Sequence, residues 1–180
     1  MIADRADGEA GAADAPFILT ADLPPDLHSW ATGLRTRFFP PERNYLEAHV
    51  TMFHALPAPY HAEIDRLLER TARYDPDIPA RITGISSLGR GTAIAIDSPM
   101  LMSVREGIVD SLHDVLTAQD RHKPRFHITV QNKVSSEEAK RVQAILRDQV
   151  EPRDFWFPSM TLHRYLGGPW ERVKTYRFRG

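Results

Sequence analysis

Arg125-Phe126-His127-Ile128-Thr129-Val130 decides the fold, because its central tetrapeptide has a counterpart far upstream in His49-Val50-Thr51-Met52. Each copy reads histidine, aliphatic, threonine, apolar. Side chains on a β-strand alternate between faces, so His127 and Thr129 point one way while Phe126, Ile128 and Val130 point the other. The same alternation puts His49, Thr51 and Phe53 on one face of an earlier strand and turns Val50 and Met52 to a core. Two strands each offer an imidazole and a hydroxyl.

The flanking sequence repeats as well. Ahead of the first copy, Leu27, Trp30, Ala31, Leu34 and Phe38 recur at helical spacing, with Pro24-Pro25 opening that helix and Pro40-Pro41 ending it. After it, Ile64, Leu67, Leu68 and Ala72 mark one face of a second helix, and 81–88 with 92–97 read as a hairpin around Gly89-Arg90-Gly91. Ser98-Pro99 then starts a third helix that leads into the Arg125–Val130 strand. Ser135 and Glu138 form a capping-box pattern for a fourth, and 154–165 with 170–178 read as a second hairpin around Leu166-Gly167-Gly168-Pro169. His49 to Gly89 and His127 to Gly167 cover equal distances. The expected fold is therefore α+β, with two pseudo-symmetric lobes, each an antiparallel sheet with helices on its outer face, forming a central cleft. The repeat units are 24–97 and 98–179 within one bilobal domain spanning 16–180. Residues 1–15, acidic and poor in large apolar side chains, read as a disordered leader.

Composition bounds the chemistry. The chain has 180 residues, 42 % of them apolar, enough for one core. Its net charge of -1 argues neither for nor against a polyanionic partner, while 125–180, with eleven Lys or Arg against six acids, suits a phosphate-bearing ligand better than the acidic start does. There is no cysteine, so disulfides and thiolate metal sites are excluded. No apolar run approaches the ~20 residues of a membrane span, and no basic-then-apolar start suggests a secretory signal, so a cytoplasmic protein without membrane contact is expected; a monomer is the default expectation, on which the sequence itself is silent.

The double H-x-T-x pattern, its separation and the duplicated architecture resemble the two-histidine (2H) phosphoesterase superfamily, which includes the bacterial RNA 2′,3′-cyclic phosphodiesterases also called 2′-5′ RNA ligases. Both copies conform to the family's histidine, hydrophobic, serine or threonine, hydrophobic motif. Lys123-Pro124-Arg125-Phe126 is similar to the family's proline-containing approach to the second motif, with two residues between Pro124 and the histidine where one or none is common. The resemblance implies hydrolysis of a 2′,3′-cyclic phosphate on an RNA end or nucleotide to a 2′-phosphate, without metal or other cofactor. The alternatives are the reverse joining through a 2′-5′ linkage and a non-catalytic nucleotide- or RNA-binding module using the same cleft.

The residues can support that chemistry unaided. Opening a cyclic phosphodiester needs a base for water and an acid for the leaving ribose oxygen, and histidine suits both near neutral pH. Which histidine is the acid follows from substrate orientation, which a pseudo-symmetric site leaves open between His49 and His127; His127 as the base and His49 as the acid is the assignment taken, with Thr51 and Thr129 donating to the non-bridging oxygens. Alternation places Gln131 and Lys133 on the His127 face if the strand runs that far. Lys133 is then either a phosphate contact or a solvated strand-end lysine. Phe53, Tyr165 and Trp170 offer stacking surfaces for a nucleobase or pack locally. Arg125 and Arg164 are phosphate contacts or surface arginines. His54 falls on the opposite face, His61 and His113 fit polar helix positions, and His122 and His163 are bystanders. A metal site from His49, His127 and His163 is disfavoured, since no acid accompanies them at a ligand spacing.

Overall fold

Prolines and hydroxyls set the helix boundaries in the computed structural model, which describes residues 14–179. After strand β1 (Phe17–Ala21), Pro25 opens helix α1 (Pro25–Phe38), and β2 (Val50–Leu56) and α2 (His61–Tyr74) follow. A hairpin of β3 (Ile78–Ser87) and β4 (Thr92–Asp97) leads to α3 (Pro99–Leu112), whose first turn is capped by the Ser98 hydroxyl accepting from the Leu101 N–H. One helical turn, α4 (Ala118–Arg121), precedes β5 (His127–Gln131). The Ser135 hydroxyl caps α5 (Ser136–Arg147), and β6 (Arg153–Phe157), β7 (Ser159–Tyr165) and β8 (Trp170–Arg177) complete the fold. The turn α4, held by the Thr117 hydroxyl, has no counterpart in the sequence reading.

The strands lie in the order β6-β3-β4-β5-β2-β1-β7-β8, all pairs antiparallel. This α+β sheet divides into two pseudo-symmetric halves of four strands that meet at one residue pair, Val50 with Ile128. Both side chains at that joint are fully buried. One half joins the two ends of the chain, β1 and β2 with β7 and β8, while the other is built from its middle, β3 and β4 with β5 and β6. The stretch 154–165 is accordingly two strands and not one. Pro158, which has no N–H to give a ladder, breaks it, so that β6 pairs with β3 and β7 with β1. The expected leader falls almost wholly outside the described residues.

Both motif strands carry a bulge in the same place. Thr51 faces Thr20 but Phe53 faces Leu19, so Met52 is the extra residue; Thr129 faces Ala93 but Gln131 faces Thr92, so Val130 is. A bulge breaks the alternation of faces, and Met52 with Phe53, like Val130 with Gln131, are consecutive buried residues. In the second half the close approach is made by Gly91, where any Cβ would collide with the carbonyl of Gln131.

Past the single joining pair, each motif strand has backbone groups with no strand opposite, and side chains take that role. Arg35 of α1, 3 % exposed, donates to the Thr129 carbonyl at 2.7 Å, the Leu46 carbonyl at 2.9 Å and Asn44 Oδ1 at 3.0 Å. Arg105 of α3, 2 % exposed, donates to the Met52 carbonyl at 2.9 Å and to the Asp120 carbonyl, while its guanidinium lies over Phe53. The Asp120 carboxylate accepts from the N–H groups of His54 and Ala55 at 2.9 and 2.8 Å. Burial pushes the Asp120 pKa up, and the donors from His54 and Ala55 outweigh it to bring the net shift down.

Removing Arg105 leaves buried carbonyls unpaired and takes a cation from beside Asp120. Arg105→Ala is expected to lower unfolding stability by about 3–5 kcal/mol, read from urea midpoints at unchanged m-value.

Candidate active site

The antiparallel pairing of Val50 with Ile128 places His49 across from Thr129 and Thr51 across from His127. The two histidines and two threonines thus occupy the face opposite the buried Val50 and Ile128, with the imidazoles on one diagonal and the hydroxyls on the other. All four are half-buried. His49 stands just before the first residue of β2 and His127 is the first of β5.

The two rings are held alike. His49 Nδ1 lies 2.7 Å from the carbonyl of Glu47, and His127 Nδ1 lies 2.7 Å from the carbonyl of Arg125. A carbonyl only accepts, so in each ring Nδ1 carries the hydrogen and, in the neutral form, Nε2 carries the lone pair. Neither Nε2, nor the hydroxyl of Thr51 or Thr129, has a protein hydrogen-bond partner among the described residues.

The environments differ. The His49 ring packs against Trp170 at 4.7 Å between centroids, and Trp170 in turn meets His163 at 5.4 Å. His163 Nε2 is 3.0 Å from the Thr20 hydroxyl. Burial lowers the His49 pKa to about 4, helped by the positive charges of Arg35, His163 and His127 and opposed by the bond to the Glu47 carbonyl. Burial likewise lowers that of His163, with Arg172 adding to the shift and Asp22 opposing it.

Of the other residues expected near the motifs, Trp170 and Arg125 reach them. Trp170 walls a cavity of about 420 Å³ beside His49, and Arg125 lines one of about 840 Å³ beside His127. Phe53 does not face the cleft: the bulge at Met52 turns it into the core, 0 % exposed beneath Arg105. Gln131 is turned inward by the matching bulge, 0 % exposed, its Oε1 accepting from the Thr92 hydroxyl at 3.4 Å. Lys133 lies beyond the end of β5 in a left-handed turn, φ 58°, so strand alternation does not assign it to the His127 face. Tyr165 is exposed at the tip of the β7-β8 hairpin and lines neither cavity. Arg164 lies over the Phe17 ring, and His61 packs against the same ring. Among the described residues no group of three or more His, Asp or Glu is placed to hold a metal ion, and no helix is long and apolar enough to cross a membrane.

The sequence reading passed over the floor of the His49 half. Thr51, Thr20, Thr161 and Thr175 form one row across β2, β1, β7 and β8, and Asp22 sits beside it. No local pattern announces this row, because strands 140 residues apart build it. His163, set aside as a bystander, belongs to the same wall.

A sequence model of the 2′-5′ RNA ligase superfamily matches residues 23–169. The chain belongs to that superfamily, the two-histidine phosphoesterases. The fold is similar to that of TT0787 of Thermus thermophilus, at 15 % identity and a TM-score of 0.63 over 92 % of this chain and 98 % of that one. It is also similar to LigT of E. coli, solved with 3′-AMP (15 % identity, TM-score 0.63) and with NADP+ (15 % identity, TM-score 0.61), each over 93 % of this chain and 99 % of that one. A search of curated protein sequences finds no match.

The depressed pKa of His49 makes a signed prediction. Between its unfolded value near 6.5 and its folded value of about 4, the unfolded chain holds the extra proton, so stability falls as pH is lowered through that window. In His49→Gln this share of the acid-side loss is expected to disappear, measured as the change in urea midpoint between pH 7 and pH 4.5 against wild type.

Proposed function

We propose that the chain is a metal-independent phosphoesterase that opens a 2′,3′-cyclic phosphate on an RNA end or nucleotide to leave a 2′-phosphate. The observation that carries this reading is the matched pair of Nδ1–carbonyl bonds, which sets two imidazoles in the same tautomer with Nε2 free. Two such rings on one diagonal, with two unpartnered hydroxyls on the other, suit an in-line displacement at a phosphorus held between them. The superfamily membership and the binding of 3′-AMP by a structural relative support a nucleotide in that place.

In this mechanism His127 Nε2 takes a proton from water as its oxygen attacks phosphorus opposite the ribose O3′. The P–O3′ bond breaks and His49 Nε2 gives O3′ its proton. Thr51 and Thr129 donate to the non-bridging oxygens, whose charge grows in the transition state. His49 acquires its proton with the substrate. Its pKa is low in the free protein because burial and cationic neighbours disfavour the charged ring, and a phosphate anion at Nε2 acts in the opposite sense. Anion affinity then rises as pH falls from 7 toward 5. Calorimetry at pH 6 with sulfate, an anion that does not itself titrate there, in buffers of different ionisation enthalpy should show proton uptake on binding, which His49→Gln reduces.

The direct test is incubation with the four nucleoside 2′,3′-cyclic phosphates and a cyclic-phosphate-ended oligoribonucleotide in EDTA, with the product phosphate located. Turnover is expected to persist in EDTA and to yield the 2′-phosphate. His49→Ala and His127→Ala are each expected to lower kcat by roughly 10²–10⁴-fold. Loss of activity on chelation, or wild-type turnover in either variant, would refute the mechanism.

A further inference from the structure

The floor of the His49 half is a wired polar surface. Asp22 Oδ2 accepts from the Ser159 hydroxyl at 2.6 Å and the Thr161 hydroxyl at 2.7 Å. A carboxylate only accepts, so Thr161 commits its proton to Asp22, and the Thr175 hydroxyl, 2.9 Å away, must donate to Thr161. The chain of hydroxyls ends on one carboxylate oxygen and fixes the plane of the group. The other oxygen, Oδ1, has no hydrogen-bond partner among the described residues. It is also not sealed away, since the only buried side-chain polar atom without a partner among those residues is Gln131 Nε2. Asp22 lines the cavity of about 420 Å³ that opens at His49 and has Trp170 as another wall. That volume is in the range of sites that enclose small ligands.

This acceptor exists on one side only. Ala21 pairs with Val50 in the first half, and Ile94 pairs with Ile128 in the second, so the position equivalent to Asp22 is Ala95. Thr20 is likewise replaced by Ala93. The duplicated motifs leave the direction of a substrate open, and the fixed carboxylate beside His49 removes that freedom.

We propose that the cavity beside His49 receives the nucleobase of the substrate and that Asp22 selects a base presenting N–H donors, guanine foremost, over uracil. This rests on the cyclic-phosphate reading above. Guanine offers adjacent N1–H and N2–H groups to the open oxygen. Uracil offers a single N3–H flanked by two carbonyl oxygens that a carboxylate repels. A base on this side also brings the ribose, and so the leaving O3′, to His49.

The test compares kcat/KM for guanosine and uridine 2′,3′-cyclic phosphates. The wild type is expected to favour guanosine by about tenfold or more, the scale of a charge-assisted hydrogen bond. In Asp22→Asn the amide oxygen takes over the bonds from Ser159 and Thr161, which turns the NH2 group into the cavity. A donor then stands where an acceptor did, and the preference is expected to move toward uridine. Calorimetric binding of guanosine and uridine 2′-monophosphates to the wild type reads the same preference without turnover or a variant. Discrimination in binding with no hydrolysis would sustain the base site and overturn the phosphoesterase reading. Equal or tighter binding of the uridine nucleotide, or an unchanged base ratio in Asp22→Asn, would overturn the base site whatever the turnover.

Discussion

Two buried guanidinium groups make the cleft possible. A sheet can stay open in the middle only if the backbone groups at the opening find partners other than a strand or water, because an unpaired buried carbonyl costs about as much as a lost hydrogen bond. Here β2 and β5 pair at Val50 and Ile128 alone. Arg35 and Arg105 rise from helices of opposite halves and supply donors to the Thr129 and Met52 carbonyls. Burial lowers the pKa of both guanidinium groups, that of Arg35 to about 10, without bringing either near neutral pH. Each remains a cation under the motif strand of the half it does not start from. Arg35 does more, because its bond to the Leu46 carbonyl fixes the loop entering His49 while its bond to Thr129 fixes the other motif.

The His49 and His127 pair, the helix caps at Ser98 and Ser135 and the apolar face of α2 were legible because each signal is local: a tetrapeptide, a capping hydroxyl, a 3.6-residue period. What escaped depends on contacts between distant segments. Phe53 and Gln131 look correct by alternation and fail by the same bulge, one extra residue at Met52 and one at Val130, which only the register against β1 and β4 reveals. Asp22 carries no motif at all. Its meaning comes from Ser159 and Thr161, which reach it across more than a hundred residues of chain. Pro158 was visible as a residue but not as the point where one strand becomes two, since its effect is a change of partner.

Repetition and divergence are both visible in the site. The tautomer-setting bond, the bulge and the helix-borne arginine occur twice, so these belong to the scaffold that any pair of imidazoles here requires. The floors differ: threonines and a carboxylate beside His49, alanines and a larger cavity of about 840 Å³ beside His127. A symmetric pair of histidines acting on an asymmetric substrate needs some such difference, and it is carried by residues outside the repeated tetrapeptides.

The exchange of strands between the halves has a consequence for synthesis. Phe17 pairs with Arg164, so the half that holds His49 lacks two of its four strands until the last segment has been made. The other half closes sooner, when β6 arrives at Phe157. During elongation the first motif therefore waits, its strand β2 and the apolar face of α2 without their final cover, while the second motif folds onto a nearly complete sheet. Long-range pairing of this kind is slow to form and leaves edges exposed meanwhile. The segment from β1 to α2 is thus the part that a nascent-chain chaperone would have the longest time to meet.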